Sequence, residues 1–156
     1  MERFAGVWEN SPWIAEQAHT AGLTTSQDSA AGLHAAMCKV MRATTDLQKH
    51  ALINAHPDLA GKLAAAKLLT AESTEEQASA GLDHLTADEK SRFVRLNDAY
   101  KARFGFPFII AVKDNTKASI LEAFEARLKN NTDQEFNAAL AQIERIARLR
   151  LDAVLP

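Results

Sequence analysis

The sequence has few of the residues that cross-link, ligate or anchor a fold. Its 156 residues include one cysteine, Cys38, which excludes a disulfide framework and favours a reducing compartment. The five histidines show no HExxH or His-x-x-x-His spacing, so no metal site is predicted. No apolar run approaches a membrane span, and the N-terminal stretch lacks the apolar core of a signal peptide. We therefore expect a cytoplasmic protein with no membrane partner.

An excess of one charge is also missing. The 18 Lys and Arg and the 20 Asp and Glu are scattered and give a net charge of -2, so no nucleic-acid surface is predicted. Neither a glycine-rich phosphate loop nor a GxSxG elbow occurs. The length and the hydrophobic content of 47% are typical of one globular domain, here residues 1–156.

Most of the chain carries the marks of α-helices. Polar capping residues precede apolar residues that recur three and four positions apart. The predicted helices start after Ser11, at about Ser26, at Thr45, at Pro57, at Ser73, at Thr86, after the DNT of residues 114–116, and at Thr132. Predicted ends include Gly22, Ala43, His56 and Gly105. The predicted fold class is all-α, a single-domain helical bundle.

One segment does not fit a helix, namely FGFPFIIAV over residues 104–112. Three Phe, one Pro and several β-branched residues favour an extended, buried backbone over about 106–112. The sequence offers no second strand-like run to pair with it, yet its peptide groups need hydrogen-bond partners. A ligand rich in amide-like groups is one way to supply them. A binding site is therefore expected here first.

His56 is the strongest single candidate for chemistry. It lies at the predicted end of a helix, and the following Pro57 creates a stiff backbone corner. A helix C-terminus favours the protonated imidazole, which suits a proton donor. The alternative is a partly exposed histidine at a helix end.

Glu76 and Arg150 are charged candidates, each with a structural alternative. Glu76 follows Ser73 by three residues and so matches a capping box, although a helix N-terminus also meets anions or carbonyls. Arg150 lies within roughly 40° of the centre of the apolar stripe of the last helix, whereas Arg145 and Arg148 point away. An arginine there should be paired or should hold an anion, unless it snorkels to solvent near the helix end.

Several motifs in this order resemble one enzyme family. They are HPDLAGK at residues 56–62, SxxEQASAGL at 73–82 and LNDAYKARFGFPFIIAV at 96–112, together with the early ENSPWIAEQA and the late Arg150-Leu151. The chain resembles 2-oxo-4-hydroxy-4-carboxy-5-ureidoimidazoline (OHCU) decarboxylase over nearly its whole length.

The resemblance implies an all-helical, cofactor-free carboxy-lyase that converts OHCU to (S)-allantoin and CO2 in urate breakdown, and it suggests a homodimer. It implies that His56, Glu76 and Arg150 are catalytic. It also implies that the substrate is bound by Pro57, Ser73, Thr74, Glu75, Glu76, Gln77, Phe108, Ile109, Ile110, Ala111 and Val112.

Two other functions are compatible with the same residues. One is a different lyase or hydrolase acting on a ureide. The other is a non-catalytic helical interaction module, in which His56, Glu76 and Arg150 are only caps and surface pairs. The module predicts an exposed apolar groove and no pocket where the three side chains meet.

Overall fold

The computed structural model describes residues 4–155, which form an all-α bundle of eight α-helices and two short 3₁₀ helices with no strand among them. The helices are α1 (Trp13–Thr20), α2 (Ala30–Ala43), α3 (Asp46–Asn54), α4 (Lys62–Ala65), α5 (Ala71–Ser79), α6 (Ala87–Phe104), α7 (Lys117–Arg127) and α8 (Thr132–Val154). The predicted fold class is confirmed. Within residues 4–155, no helix combines the length and the apolar character needed to cross a bilayer.

Capping signals fix several helix ends where they were predicted. The capping boxes of Thr45 with Gln48 and of Thr86 with Glu89 are both formed, and they start α3 and α6. Gly105 ends α6 in the left-handed region at φ 78°, a conformation that other residues adopt only with strain. The long helix α6 therefore stops abruptly, and the chain turns into the segment that begins at Phe106.

The predicted start of α5 is wrong by three residues. Thr70 is the N-cap, and its hydroxyl accepts a hydrogen bond from the Ser73 N–H at 3.2 Å. Ser73 is therefore already helical, and Glu76 lies in the middle of α5 rather than in a capping box. Glu76 is therefore not the capping residue of α5.

Other predicted boundaries shift for local reasons. Pro12, not Ser11, precedes α1, and Asn131 caps α8 one residue before the predicted Thr132. The helix predicted from Pro57 is only the single turn α4, because Ala60 has a positive φ of 50° that interrupts a helix.

The helix predicted from about Ser26 is divided in two. A 3₁₀ helix spans Thr25–Gln27, and Ser29 then caps α2 by accepting from the Gly32 N–H at 3.1 Å. A Cβ at Gly32 would lie 1.9 Å from the Ser26 carbonyl oxygen, so only glycine permits this close turn.

The extended segment forms an inner wall of the bundle. Residues 106–112 are all buried, and the non-helical stretch ends at Ala111 because Val112–Asp114 forms a 3₁₀ helix that packs on α5. Phe108 stacks on Phe124 of α7 with ring centroids 3.7 Å apart, and Tyr100 of α6 meets Phe108 edge-on at 5.3 Å. The segment is thus held by aromatic packing rather than by a sheet.

Candidate active site

A small cavity of about 30 Å³ gathers the three predicted catalytic residues and most of the predicted binding residues. It is lined by His56, Pro57, Leu59, Ser73, Glu76, Gln77, Phe108, Ile109, Ile110, Val112, Ile146 and Arg150. Since a single water needs roughly 10–15 Å³ of such space, the protein's own side chains nearly fill the site. His56 reaches it from the residue after the C-cap of α3, Glu76 from α5 and Arg150 from α8.

Arg150 and Glu76 form a two-pronged ion pair. The Arg150 Nε donates to Glu76 Oε1 at 2.7 Å, and its Nη2 donates to Glu76 Oε2 at 2.8 Å. Arg150 is only 5% exposed, so it does not snorkel to solvent. Burial alone would lower the pKa of Arg150, but the hydrogen bonds and charges of Glu76 and Glu9 raise it, and the guanidinium is charged. Planar, paired donors of this kind also suit a substrate carboxylate.

A second carboxylate, Glu9, shares the same guanidinium and was missed from the sequence. Its Oε2 lies 2.9 Å from Arg150 Nη2, and it is 2% exposed. The hydroxyls of Thr70 and Ser73 donate to it at 2.9 Å and 3.0 Å. The only signal for Glu9 was its place in the early ENSPWIAEQA motif. With two carboxylates and one guanidinium, these three side chains carry a formal charge of -1.

His56 is held as a neutral base rather than as a charged acid. Its Nδ1 lies 2.9 Å from the Leu52 carbonyl oxygen, which can only accept, so Nδ1 carries a proton and the neutral ring has its lone pair on Nε2. Burial lowers the pKa of His56 to about 4, outweighing the Leu52 carbonyl and the charge of Glu9, which raise it. The protonated imidazole expected at a helix end is therefore wrong for this site.

The remaining predicted binding residues divide into two groups. Pro57, Ser73, Gln77, Phe108, Ile109, Ile110 and Val112 line the cavity. Thr74, Glu75 and Ala111 do not line it. Thr74 is exposed and donates to Thr70 O at 2.8 Å, and Glu75 is exposed and pairs with Lys113 at 3.1 Å. The Ala111 N–H donates to Gln142 Oε1 at 2.8 Å. Leu59 and Ile146 also line the cavity; their sequence pattern is that of ordinary core residues.

Gln77 connects the cavity wall to the turn that follows His56. Its Oε1 accepts from the Ala60 N–H at 2.9 Å, and its Nε2 donates to the Asp58 carbonyl at 3.4 Å. Ala60 is the residue with positive φ, so Gln77 stabilises the turn that carries Pro57 and Leu59 to the cavity.

An all-helical chain that buries a neutral histidine beside an arginine–carboxylate cluster has the site of an enzyme acting on a small molecule. The sequence model of OHCU decarboxylase matches residues 1–152. The chain belongs to the OHCU decarboxylase family.

Individual relatives agree with this assignment. The chain is 40% identical over 146 residues to the 2-oxo-4-hydroxy-4-carboxy-5-ureidoimidazoline decarboxylase of Halalkalicoccus jeotgali, covering 94% of this chain and 79% of that protein. It is 38% identical over 151 residues to the enzyme of the same name from Haloferax volcanii, covering 97% and 86%. A crystal structure of OHCU decarboxylase in the presence of (S)-allantoin shares the fold, with a TM-score of 0.76 at 22% identity over 98% of this chain and 97% of that one.

Proposed function

We propose that this chain decarboxylates OHCU to (S)-allantoin and CO2 without a cofactor, with His56, Glu76 and Arg150 as its catalytic residues. The observation that carries the proposal is their convergence on one buried cavity in a chain of this family. The same convergence argues against the interaction module, which predicts no such meeting point. A different ureide-processing lyase or hydrolase is the alternative, and substrate profiling separates the two.

The substrate supplies its own electron sink. The carbon that bears the carboxylate also bears a hydroxyl and adjoins a ring C=N bond. When the bond to the carboxylate breaks, CO2 leaves and the electron pair moves into the ring toward that nitrogen, which takes up a proton from solvent, the one proton that the reaction consumes. The hydroxyl loses its proton and becomes a carbonyl, while the ureido-bearing carbon gains a proton.

His56 is suited to both proton transfers. Its free Nε2 lone pair accepts the hydroxyl proton, while Nδ1–H stays bonded to Leu52 O and fixes the ring. The imidazolium so formed is strongly acidic in this buried setting, since burial disfavours its charge. It then delivers the proton to one face of the ureido-bearing carbon, which sets the S configuration.

Arg150 would bind the substrate carboxylate or ring oxygens, and the Glu76 carboxylate would leave Arg150 when the substrate binds. Within residues 4–155 the Glu76 carboxylate bonds only to Arg150, whereas Glu9 is also held by Thr70 and Ser73. Glu76 is therefore the partner that an incoming anion displaces more easily. Once released, it would bind the ureido and ring N–H groups or assist removal of the hydroxyl proton.

The apolar wall of Phe108, Ile109, Ile110 and Val112 would exclude water and favour loss of the charged carboxylate. Each of these four residues is at most 7% exposed. Peptide groups of the same segment would bind the ureide edges.

Two variants and one matched control test the proposal. We expect His56→Gln and Glu76→Gln each to lower the rate of OHCU consumption by at least about 100-fold, in the range of lost general acid–base catalysis. His84→Gln is the control, because the His84 side chain is 87% exposed. An equal loss of activity in all three variants, or full activity in His56→Gln, would contradict the assignment of these residues as catalytic.

We propose in addition that the protein is a cytoplasmic homodimer and that residues 1–156 are one domain. Light scattering of the purified chain tests the dimer. Limited proteolysis tests the domain, because a single domain yields no stable internal fragment.

A further inference from the structure

The carbonyl of Ile109 is held by a network that does not line the cavity. Arg127 of α7 donates from Nη1 to Ile109 O at 2.7 Å, and its guanidinium lies over the Phe108 ring, 4.4 Å from the centroid. Its Nε donates to Glu135 Oε2 at 3.0 Å. Glu135 of α8 is fully buried and also accepts from the Tyr100 hydroxyl. Arg127 is thus fixed by a buried carboxylate on one side and an aromatic ring on another.

The next peptide is held from α8. The Ala111 N–H donates to Gln142 Oε1 at 2.8 Å. Two side chains therefore hydrogen-bond the backbone groups that flank Ile110. Arg127 bonds the Ile109 C=O, and Gln142 bonds the Ala111 N–H.

These two contacts determine where the peptide groups of Ile110 point. Every peptide bond among residues 4–155 is trans, and in a planar trans peptide the C=O and the N–H point in opposite directions. The Ile110 N–H therefore points away from Arg127, and the Ile110 C=O points away from Gln142. Ile110 lies in the non-helical stretch 107–111, and the adjoining Ala111 has extended backbone at φ -70° and ψ 92°. In extended backbone the N–H and C=O of one residue lie on the same side. Ile110 lines the cavity, and within residues 4–155 neither group makes a hydrogen bond.

We propose that Arg127 and Gln142 are positioning residues that aim the N–H and C=O of Ile110 at the substrate. A donor and an acceptor side by side match an edge that presents a C=O and an N–H, as a ureide does. Fixing them before the substrate binds removes the cost of ordering the segment. This inference rests on the proposed function, which supplies the ureide.

Each of two variants removes one of these hydrogen bonds. Arg127→Lys keeps a positive charge beside Glu135, but a single ammonium does not span both Glu135 and the Ile109 carbonyl. Gln142→Leu removes the acceptor for Ala111 at a half-buried position, where the fold tolerates the change. We expect each variant to raise KM for OHCU about tenfold, the equivalent of one hydrogen bond, and to change kcat by less than about threefold.

Arg103→Lys is the matched control. Arg103 also lies over a phenylalanine, 5.3 Å from the Phe104 centroid, and also donates to a backbone carbonyl, Asn130 O, at 2.9 Å. It does not line the cavity. We expect its KM to stay within twofold of the wild-type value.

A second readout does not depend on turnover. In the free protein, the amide resonance of Ile110 in a ¹⁵N–¹H spectrum should move in both Arg127→Lys and Gln142→Leu and not in Arg103→Lys. In the wild type it should also move when (S)-allantoin is added.

The outcomes separate the two proposals. If the wild type does not convert OHCU, the proposed function fails. The Ile110 resonance in the free variants still tests whether Arg127 and Gln142 orient the Ile110 peptide groups. An unmoved resonance in both variants overturns the inference. So does a KM within twofold of wild type in Gln142→Leu, which decides the matter if Arg127→Lys does not fold. A rise in KM for Arg103→Lys equal to theirs overturns it as well.

Discussion

Replacing Arg150 with methionine should cost more stability than any other single change at the site. The substitution keeps a long apolar stem but leaves Glu9 and Glu76, 2% and 8% exposed, without their shared cation. Breaking a buried ion pair in this way costs about 3–5 kcal/mol. For a chain of this length that lowers Tm by roughly 6–20 °C. Arg148→Met is the control, because Arg148 pairs with Asp152 at 2.9 Å on the exposed face of α8, and such pairs contribute up to about 1 kcal/mol.

The destabilisation in Arg150→Met should depend on pH with a definite sign. An unpaired buried carboxylate has a raised pKa in the folded state, so its protonated form is compatible with burial below that pKa, and stability is lost as pH rises through it. Urea unfolding should therefore show a smaller loss at pH 5 than at pH 7. Adding Glu76→Gln should recover part of the loss, since one of the two carboxylates is then neutral. A loss below about 1 kcal/mol, or one that is equal at both pH values, would refute the ion-pair reasoning.

Three further outcomes are expected. Burial lowers the pKa of His56 from its ordinary value of 6.5 to about 4, so wild-type stability should fall by up to about 3 kcal/mol as the pH falls from 6.5 to 4. Urea unfolding should show a smaller fall in His56→Gln. Glu76→Gln should change Tm by no more than a few degrees, because Glu9 still neutralises Arg150; a drop as large as in Arg150→Met contradicts this. Thr86→Ala should cost about 1 kcal/mol through the lost cap of α6 and leave kcat unchanged, which thermal melts and an activity assay check.

The sequence was most informative where a signal is local. The Thr45 and Thr86 capping boxes and the end of α6 at Gly105 followed from residues within one turn of each other. The start of α5 was misplaced because Thr70 and Ser73, three residues apart, are both residue types that cap helices. In the fold both hydroxyls donate to Glu9, a long-range contact that no local pattern predicts.

The sequence predicted which residues form most of the site but not the charges that they carry. The motifs, together with the position of Arg150 on the apolar face of its helix, indicated His56, Glu76 and Arg150. All three line the cavity. Burial then reversed the expected charge of His56, and Glu9 from near the start of the chain pairs with Arg150 from near its end. Long-range desolvation and pairing of this kind leave no periodic pattern in a sequence.

The chirality of the product tests most directly whether this chain decarboxylates OHCU. Purified protein is mixed with freshly generated OHCU, and the ellipticity of the solution is followed alongside a buffer control. The signal of (S)-allantoin should rise faster with the protein than in buffer, and His56→Gln should abolish this difference. Product that forms no faster than in buffer, or that is racemic, would contradict the proposed function.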